Sequence, residues 1–239
     1  MLMSDLPRPK GRGFMVMKVA ALISGGKDSM LALHKAVEKY DVVCLVGVIP
    51  ENPDSFMFHT PNLHLLDAIA SSIGLPIYKV PTSGEEEKEV NDLINALKYL
   101  KIEGIVIGGI ESEYQKKRFE KIANELGIKM VAPLWHMDPI KIMKEVAEKF
   151  EAIIVKTSAM GLDESWLGRR IDKKLINDLI ELNRKYKIHI AGEGGEFETL
   201  VLNAPLYKKR IIVEEYRKIV DGSVGILEVT KFKLEPKFK

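Results

Sequence analysis

The sequence predicts an α/β protein in which a parallel five-stranded sheet carries helices on both faces and a smaller α+β C-terminal part follows. Three observations carry this expectation. Short apolar runs alternate with amphipathic stretches from Lys18 to Trp135, the pattern of strand–helix–strand crossovers. The run VVCLVGVI at Val42–Ile49 is apolar throughout, as a strand buried on both faces requires. Beyond Asp138 the pattern shifts towards strand-like segments joined by short turns.

The elements follow in order. KVAALI at Lys18–Ile23 is the first strand, and a turn leads into a helix over Asp28–Tyr40. Val42–Ile49 is the second strand. A loop rich in Pro and Asn, Pro50–Asn62, precedes a helix to about Ile73, which Gly74 stops as a C′ glycine does. PIYKVP is the third strand. In Glu85–Lys101 apolar residues recur at Val90, Leu93, Ile94, Leu97 and Leu100, which is helical spacing behind an acidic first turn. GIVIGG at Gly104–Gly109 is the fourth strand, Gln115–Leu126 a helix and KMVAPLW the fifth strand. Asp138-Pro139 supplies an N-cap and a proline at the first helical position, opening a helix to about Phe150. A strand over Ala152–Thr157 and a helix over about Lys173–Tyr186 come next, then the strand-like segments TLVLNAP, KRIIVEEYRKIV and VGILEVTKFKLE. A boundary near His136–Asp138 gives a tail over 1–16, a nucleotide-binding part over 17–136 and an α+β part over 137–239.

Composition narrows the function classes. With 46% hydrophobic and 29% charged residues in 239, the chain can bury a core and is not generally disordered. A net charge of +2 gives no single-sign field and predicts no nucleic-acid partner. Cys44, the one cysteine, excludes a disulfide framework and lies in an apolar strand where it is expected to be inert. No apolar run is long enough for a membrane span, so no membrane partner is expected and the cytoplasm is the predicted compartment. The opening MLMSDLPRPKGRGF lacks an apolar stretch behind its basic residues and is read as a disordered tail, with Met15 and Met17 as alternative starts. The Lys/Glu bias, with Gln115 the single glutamine, fits heat adaptation. The histidines show no ligand spacing with Cys or carboxylates, so no zinc site is expected. A homodimer is compatible with the sequence.

The segment Ser24-Gly25-Gly26-Lys27-Asp28-Ser29 lies between the first strand and its helix. Two glycines allow a tight turn and close approach of a ligand to the backbone. The helix N-terminus offers free N–H groups and a positive dipole end, which favour an anion. Ser24 and Ser29 add hydroxyls, Lys27 a point charge for phosphate, and Asp28 an oxygen for Mg²⁺ or a helix cap. The plain alternative is an ordinary strand–turn–helix junction. The spacing matches neither a Walker A loop nor a dinucleotide fingerprint. A lysine on a loop carries little packing, so Lys27→Ala is expected to keep the fold.

SGGKDS after a first strand resembles the PP-loop of the N-type ATP pyrophosphatases, the adenine nucleotide α-hydrolase-like superfamily. That resemblance implies cleavage of ATP between its α and β phosphates. The stretches ESEYQKKRFEKIANELG (Glu111–Gly127), PLW (Pro133–Trp135) and GEGGEFETLVLNAPLY (Gly192–Tyr207) resemble the diphthine–ammonia ligases, from about Met17 to about Val220. The resemblance implies an enzyme that amidates the diphthine carboxylate on translation elongation factor 2 with ammonia and ATP, completing diphthamide. Two departures are visible: His136 stands where Gly is expected, and Ala123 where Cys is common.

Under that resemblance, ATP binding is expected at Ser24, Gly25, Gly26, Lys27, Asp28, Ser29 and Gly108, with backbone groups of Val48 and Ile49 reading the adenine edge. Asp28 is the expected Mg²⁺ ligand, and Lys27, Asp28, Glu196 and Glu198 are the expected catalytic residues. Substrate contacts are expected from Glu193, Gly194, Gly195, Phe197 and Thr199 of the acidic EGGEFET loop. That loop suits a cation: Mg²⁺, ammonium or the trimethylammonium of diphthine, with Phe197 adding cation–π contact. Alternation along a strand starting near Phe197 is expected to put Glu196 and Glu198 on one face and Phe197 on the other. Glu113, Tyr114, Gln115 and Arg118 follow the fourth strand, and the i,i+4 pair Tyr114 and Arg118 is expected to reach the crevice. His59 is a further contact in the loop after the second strand. The competing readings are a tRNA-modifying PP-loop enzyme and a non-catalytic ATP-binding regulatory module. The first lacks reactive cysteines and a basic face, and the second has no use for an acidic loop. No segment suits a glutaminase, so free ammonia is the expected nitrogen source.

Overall fold

A computed structural model of the chain describes residues 16–51, 61–83 and 85–237. The tail and His59 therefore lie outside the described residues. The first part comprises strands β1 (Lys18–Leu22), β2 (Asp41–Pro50), β3 (Ile77–Thr82), β4 (Gly104–Val106) and β5 (Lys129–Val131), with helices α1 (Lys27–Ala36), α2 (Leu66–Ile73), α3 (Glu86–Leu97) and α4 (Glu113–Leu126). All four strand pairings are parallel, in the order β3-β2-β1-β4-β5. Alternation along β1 assigns its faces. Ala20 and Leu22 join Cys44, Val46, Leu93, Leu97, Phe119 and Ile122 beneath α3 and α4. Val19, Ala21 and Ile23 pack on the other side with Met30, Leu31 and Ile69 of α1 and α2.

The second part contains α5 (Pro139–Lys149), β6 (Glu151–Thr157), α6 (Lys173–Tyr186), β7 (Phe197–Asn203), β8 (Lys209–Asp221) and β9 (Val224–Pro236). Its sheet is antiparallel, in the order β7-β6-β9-β8. The hydrophobic cluster under α1 and α2 continues into this sheet through Phe150, Ile154, Leu200 and Val201, so the two sheets share a core.

Local signals act as their chemistry requires. Gly74 takes φ +83 at the end of α2. The Asp138 carboxylate accepts from Lys141 N at 2.8 Å and caps α5. His136 sits at φ +57, a left-handed conformation that glycine adopts without steric cost and that a side chain resists. Several boundaries differ from expectation, among them α3, which ends at Leu97 instead of Lys101. β4 ends at Val106 instead of Gly109, because Gly108 meets the first turn of α1 closely enough to leave the sheet. β5 then ends at Val131, having only Gly104–Val106 to pair with. α1 ends at Ala36, and residues 37–40 turn the chain into β2.

Candidate functional site

At the carboxyl ends of the parallel strands lies a cavity of about 440 Å³, bounded on its far side by residues 192–195 and 197–199. It sits where the strand order reverses between β1 and β4, the place at which open parallel sheets bind ligands. β1 pairs with β2 only as far as Leu22↔Val46, so β2 runs on past it and Val48 enters the cavity wall.

Ser24–Ser29 forms the floor. Gly25 has φ +83, and Gly26 opens α1 in an extended conformation without a side-chain cap of its own. A Cβ on Gly26 would lie 3.3 Å from Ser24 Oγ and from the Thr199 carbonyl, so glycine keeps this cradle open. The serines brace the loop: Gly26 N donates to Ser24 Oγ at 3.3 Å, and Ser29 Oγ donates to Gly26 O at 3.1 Å. Lys27 corrects the loop-lysine expectation. It is the first residue of α1 and only 2% exposed, its Nζ 2.7 Å from Asp28 Oδ2 and 2.5 Å from the Ala191 carbonyl. The ammonium also stands 5.2 Å from the centre of the Phe197 ring. The other oxygen of Asp28, Oδ1, is buried without a hydrogen-bond partner.

The acidic turn is fastened to this loop. Lys27 N donates to Thr199 Oγ1 at 2.9 Å, and Val201 N donates to the Gly25 carbonyl at 2.9 Å. The three carboxylates diverge. Glu193 Oε1 accepts from the N–H groups of Ile110, Glu111 and Ser112 at 3.0, 3.1 and 3.1 Å, a nest just ahead of α4. Glu196 Oε1 accepts from His189 N at 2.7 Å, and Glu196 is not part of the cavity wall. Glu198 is 8% exposed, lines the cavity and receives Lys156 Nζ at 3.0 Å. Glu196 and Glu198 thus do not present together, because the chain still turns at Gly195, φ +82, and becomes a strand only at Phe197. Phe197 is buried in the hydrophobic core and is also part of the cavity wall.

A family model described as the diphthamide synthase N-terminal domain matches residues 17–130, and one described as the diphthamide synthase C-terminal domain matches residues 138–234. A diphthine–ammonia ligase of Rattus norvegicus is 35% identical over 243 residues, covering 91% of this chain and 91% of that protein. The Homo sapiens diphthine–ammonia ligase is 35% identical over 251 residues, covering 92% of this chain and 94% of that protein. The chain belongs to the diphthine–ammonia ligase family. Its members are ligases that form a carbon–nitrogen bond. A solved chain described as a predicted subunit of a tRNA methyltransferase from Methanocaldococcus jannaschii is 15% identical with a TM-score of 0.40, covering 80% of this chain and 98% of that one. That likeness is too slight to bear on fold or function.

In this ligase-family chain the cavity wall gathers Ser24, Gly26, Lys27, Asp28, Ser29, Val48 and Gly108 with Tyr114, Gln115, Glu193, Gly194, Gly195, Phe197, Glu198 and Thr199. Gly25, Ile49, Glu113, Arg118 and Glu196 are not in it. Ile49 packs against the core, and Glu113 is exposed with Lys116 at 3.9 Å. Arg118 stacks on the Tyr114 ring, 3.4 Å from its centre, and burial lowers its pKa. Cys44 is buried, which pushes its thiol up to about 11 and leaves it unreactive. Lys156, Ser112 and Gly192 line the wall without having been singled out in the sequence. His189 and Ala191 stand behind it. Only one of these carries a sequence signal: Ser112 is a helix N-cap, its Oγ accepting from Gln115 N.

Proposed function

We propose that this chain binds ATP with its phosphates on Ser24–Ser29 and amidates the diphthine carboxylate of translation elongation factor 2, releasing AMP and pyrophosphate. The observation that supports it is the fastening of the acidic turn to the phosphate-type loop within a single cavity. A diphthine whose trimethylammonium meets the acidic turn would bring its carboxylate towards a nucleotide held by the loop.

The residues present fit both ATP and Mg²⁺. The cradle at Gly26 closes only if a side chain is added, and the cavity volume suits a nucleotide. Asp28 Oδ1, buried and without a partner, is the hard oxygen that would hold Mg²⁺, which when bound would neutralise phosphate charge. The first step joins a substrate carboxylate oxygen to the α-phosphorus and breaks its bond to the bridging oxygen, so pyrophosphate leaves with the electron pair. The N-terminus of α1 would meet that departing charge, with the Lys27 ammonium adding its positive field from its buried place at the start of the helix. In the second step the ammonia nitrogen attacks the acyl carbon, and the carbon–oxygen bond to AMP breaks. A proton from nitrogen passes to Glu198, which lines the cavity and is held by Lys156, whereas the Glu193 carboxylate is taken up by the amides ahead of α4. Glu196, turned onto a backbone amide, shapes the loop in this reading. A substrate of this kind supports a cytoplasmic enzyme; among the described residues no helix is long and apolar enough to cross a membrane.

The test is Glu198→Gln with diphthine-bearing elongation factor 2. ATP affinity and the first turnover of AMP are expected to stay near wild type, while amide formation falls by about 10²-fold. Loss of ATP binding would instead assign Glu198 to the phosphates or the metal, and unchanged amidation would remove it from the chemistry.

A further inference from the structure

His189 stands outside the cavity wall and has no role in the steps above, yet its backbone and ring bind the turn that follows, and its carbonyl accepts from Gly192 N at 2.9 Å. Its backbone N–H donates to Glu196 Oε1 at 2.7 Å. Its ring Nδ1 lies 3.2 Å from both Ala191 N and Glu193 N, and each of those amides can only donate. Nδ1 is therefore unprotonated. The ring proton sits on Nε2, which is 2.8 Å from a Glu111 carboxylate oxygen, in ion-pair range though off the line of a regular hydrogen bond.

The two residues whose amides the ring fixes each reach across to the first part of the chain. Ala191 gives its carbonyl to the Lys27 ammonium, and Glu193 gives its carboxylate to the three amides ahead of α4. We infer that His189 is the positioning residue of this site: its neutral imidazole, as a double acceptor at Nδ1, sets the turn that holds Lys27 and joins the acidic loop to α4. The ring touches no reacting atom. Its effect is on where Lys27 stands, and misplacement on the ångström scale costs up to about 10²-fold in rate.

This inference rests on the proposed adenylation, so its test has one arm independent of turnover. Asparagine places an oxygen near the Nδ1 position, whereas glutamine places its polar end near Nε2 and alanine supplies neither. His189→Asn is expected to form AMP within about threefold of wild type. His189→Ala and His189→Gln are expected to lose about tenfold or more in kcat, with a smaller change in the KM for ATP. Equal rates in the three variants would overturn the role. The independent arm is the nitrogen spectrum of ¹⁵N-histidine-labelled wild-type protein, which needs no substrate. A proton on Nε2 with Nδ1 bare supports the assignment, and a proton on Nδ1 overturns it. If wild type forms no AMP with its substrates, the adenylation reading fails, and the spectrum still decides the place of His189.

Discussion

Lys27 and Asp28 are neighbours in sequence with opposite duties. The lysine turns inward onto a carbonyl of the second part, while one aspartate oxygen is left for a cation. Removing the Lys27 ammonium leaves the Ala191 carbonyl and Asp28 Oδ2 without their donor. Lys27→Ala is therefore expected to cost about 2–3 kcal/mol of stability, at the low end for a broken buried pair because Asp28 remains partly in water. It is also expected to cut AMP formation by about 10²-fold or more. Denaturant unfolding beside a product assay checks both, and wild-type stability would contradict the inward placement. The phosphate loop was legible because glycine, lysine and hydroxyls at a strand–helix junction have a local reason to be there. Lys156 and Ala191 were not, since their partners Glu198 and Lys27 lie on other elements and no spacing along the chain encodes those meetings. The partners of His189 are local, at Ala191, Glu193 and Glu196, but an irregular turn has no periodicity from which to read them.

At the scale of elements, the end of β4 is the tightest join. A Cβ on Gly108 would fall 2.7 Å from Ser29 N and 2.9 Å from the Asp28 carbonyl carbon, backbone atoms that cannot rotate aside. Gly108→Ala is expected to push β4 from α1, destabilise by about 1–3 kcal/mol and weaken ATP binding by about tenfold or more. Gly195→Ala is the contrasting case: no atom lies within 4 Å of its added Cβ, and only its φ of +82 resists. It is expected to cost about 1–2 kcal/mol with little change in ATP affinity. Calorimetry of the two variants with and without ATP separates the effects, and equal ATP affinities would contradict the close join. The elements themselves were largely legible: β1, β2 and β4 are apolar runs, α2 and α4 end on a glycine, and α4, α5 and α6 open on a capping side chain. The EGGEFET strand starts at Phe197 as expected, but the alternation does not extend back to Glu196, because Gly195 keeps the turn going up to that point.

Across the whole molecule the two sheets meet through α1. His34 on that helix bonds Met30 O through Nδ1 at 2.6 Å and accepts from Leu206 N through Nε2 at 3.2 Å, bridging to the end of the second sheet. Burial lowers its pKa from 6.5 to about 4. The folded state therefore keeps His34 neutral while the unfolded chain takes up a proton below 6.5. Stability is expected to fall as pH drops from about 6.5 to about 4, by about 3 kcal/mol from this residue, and then to level off. His34→Gln should flatten that part of the curve, and an unchanged slope would contradict the bridge. The shared core was not legible in a sequence that read as two parts, because the cluster containing Met30, Ile154 and Leu200 forms only when distant segments pack. Its consequence is the single cavity in which the phosphate loop and the acidic turn face each other. The most direct test of that account uses elongation factor 2 carrying diphthine labelled with ¹⁸O in its carboxylate, with ATP and ammonium. Attack of the carboxylate on the α-phosphorus predicts one labelled oxygen in each AMP, formed in equal amount with pyrophosphate and amide. Label in inorganic phosphate with ADP, or unlabelled AMP, would contradict it.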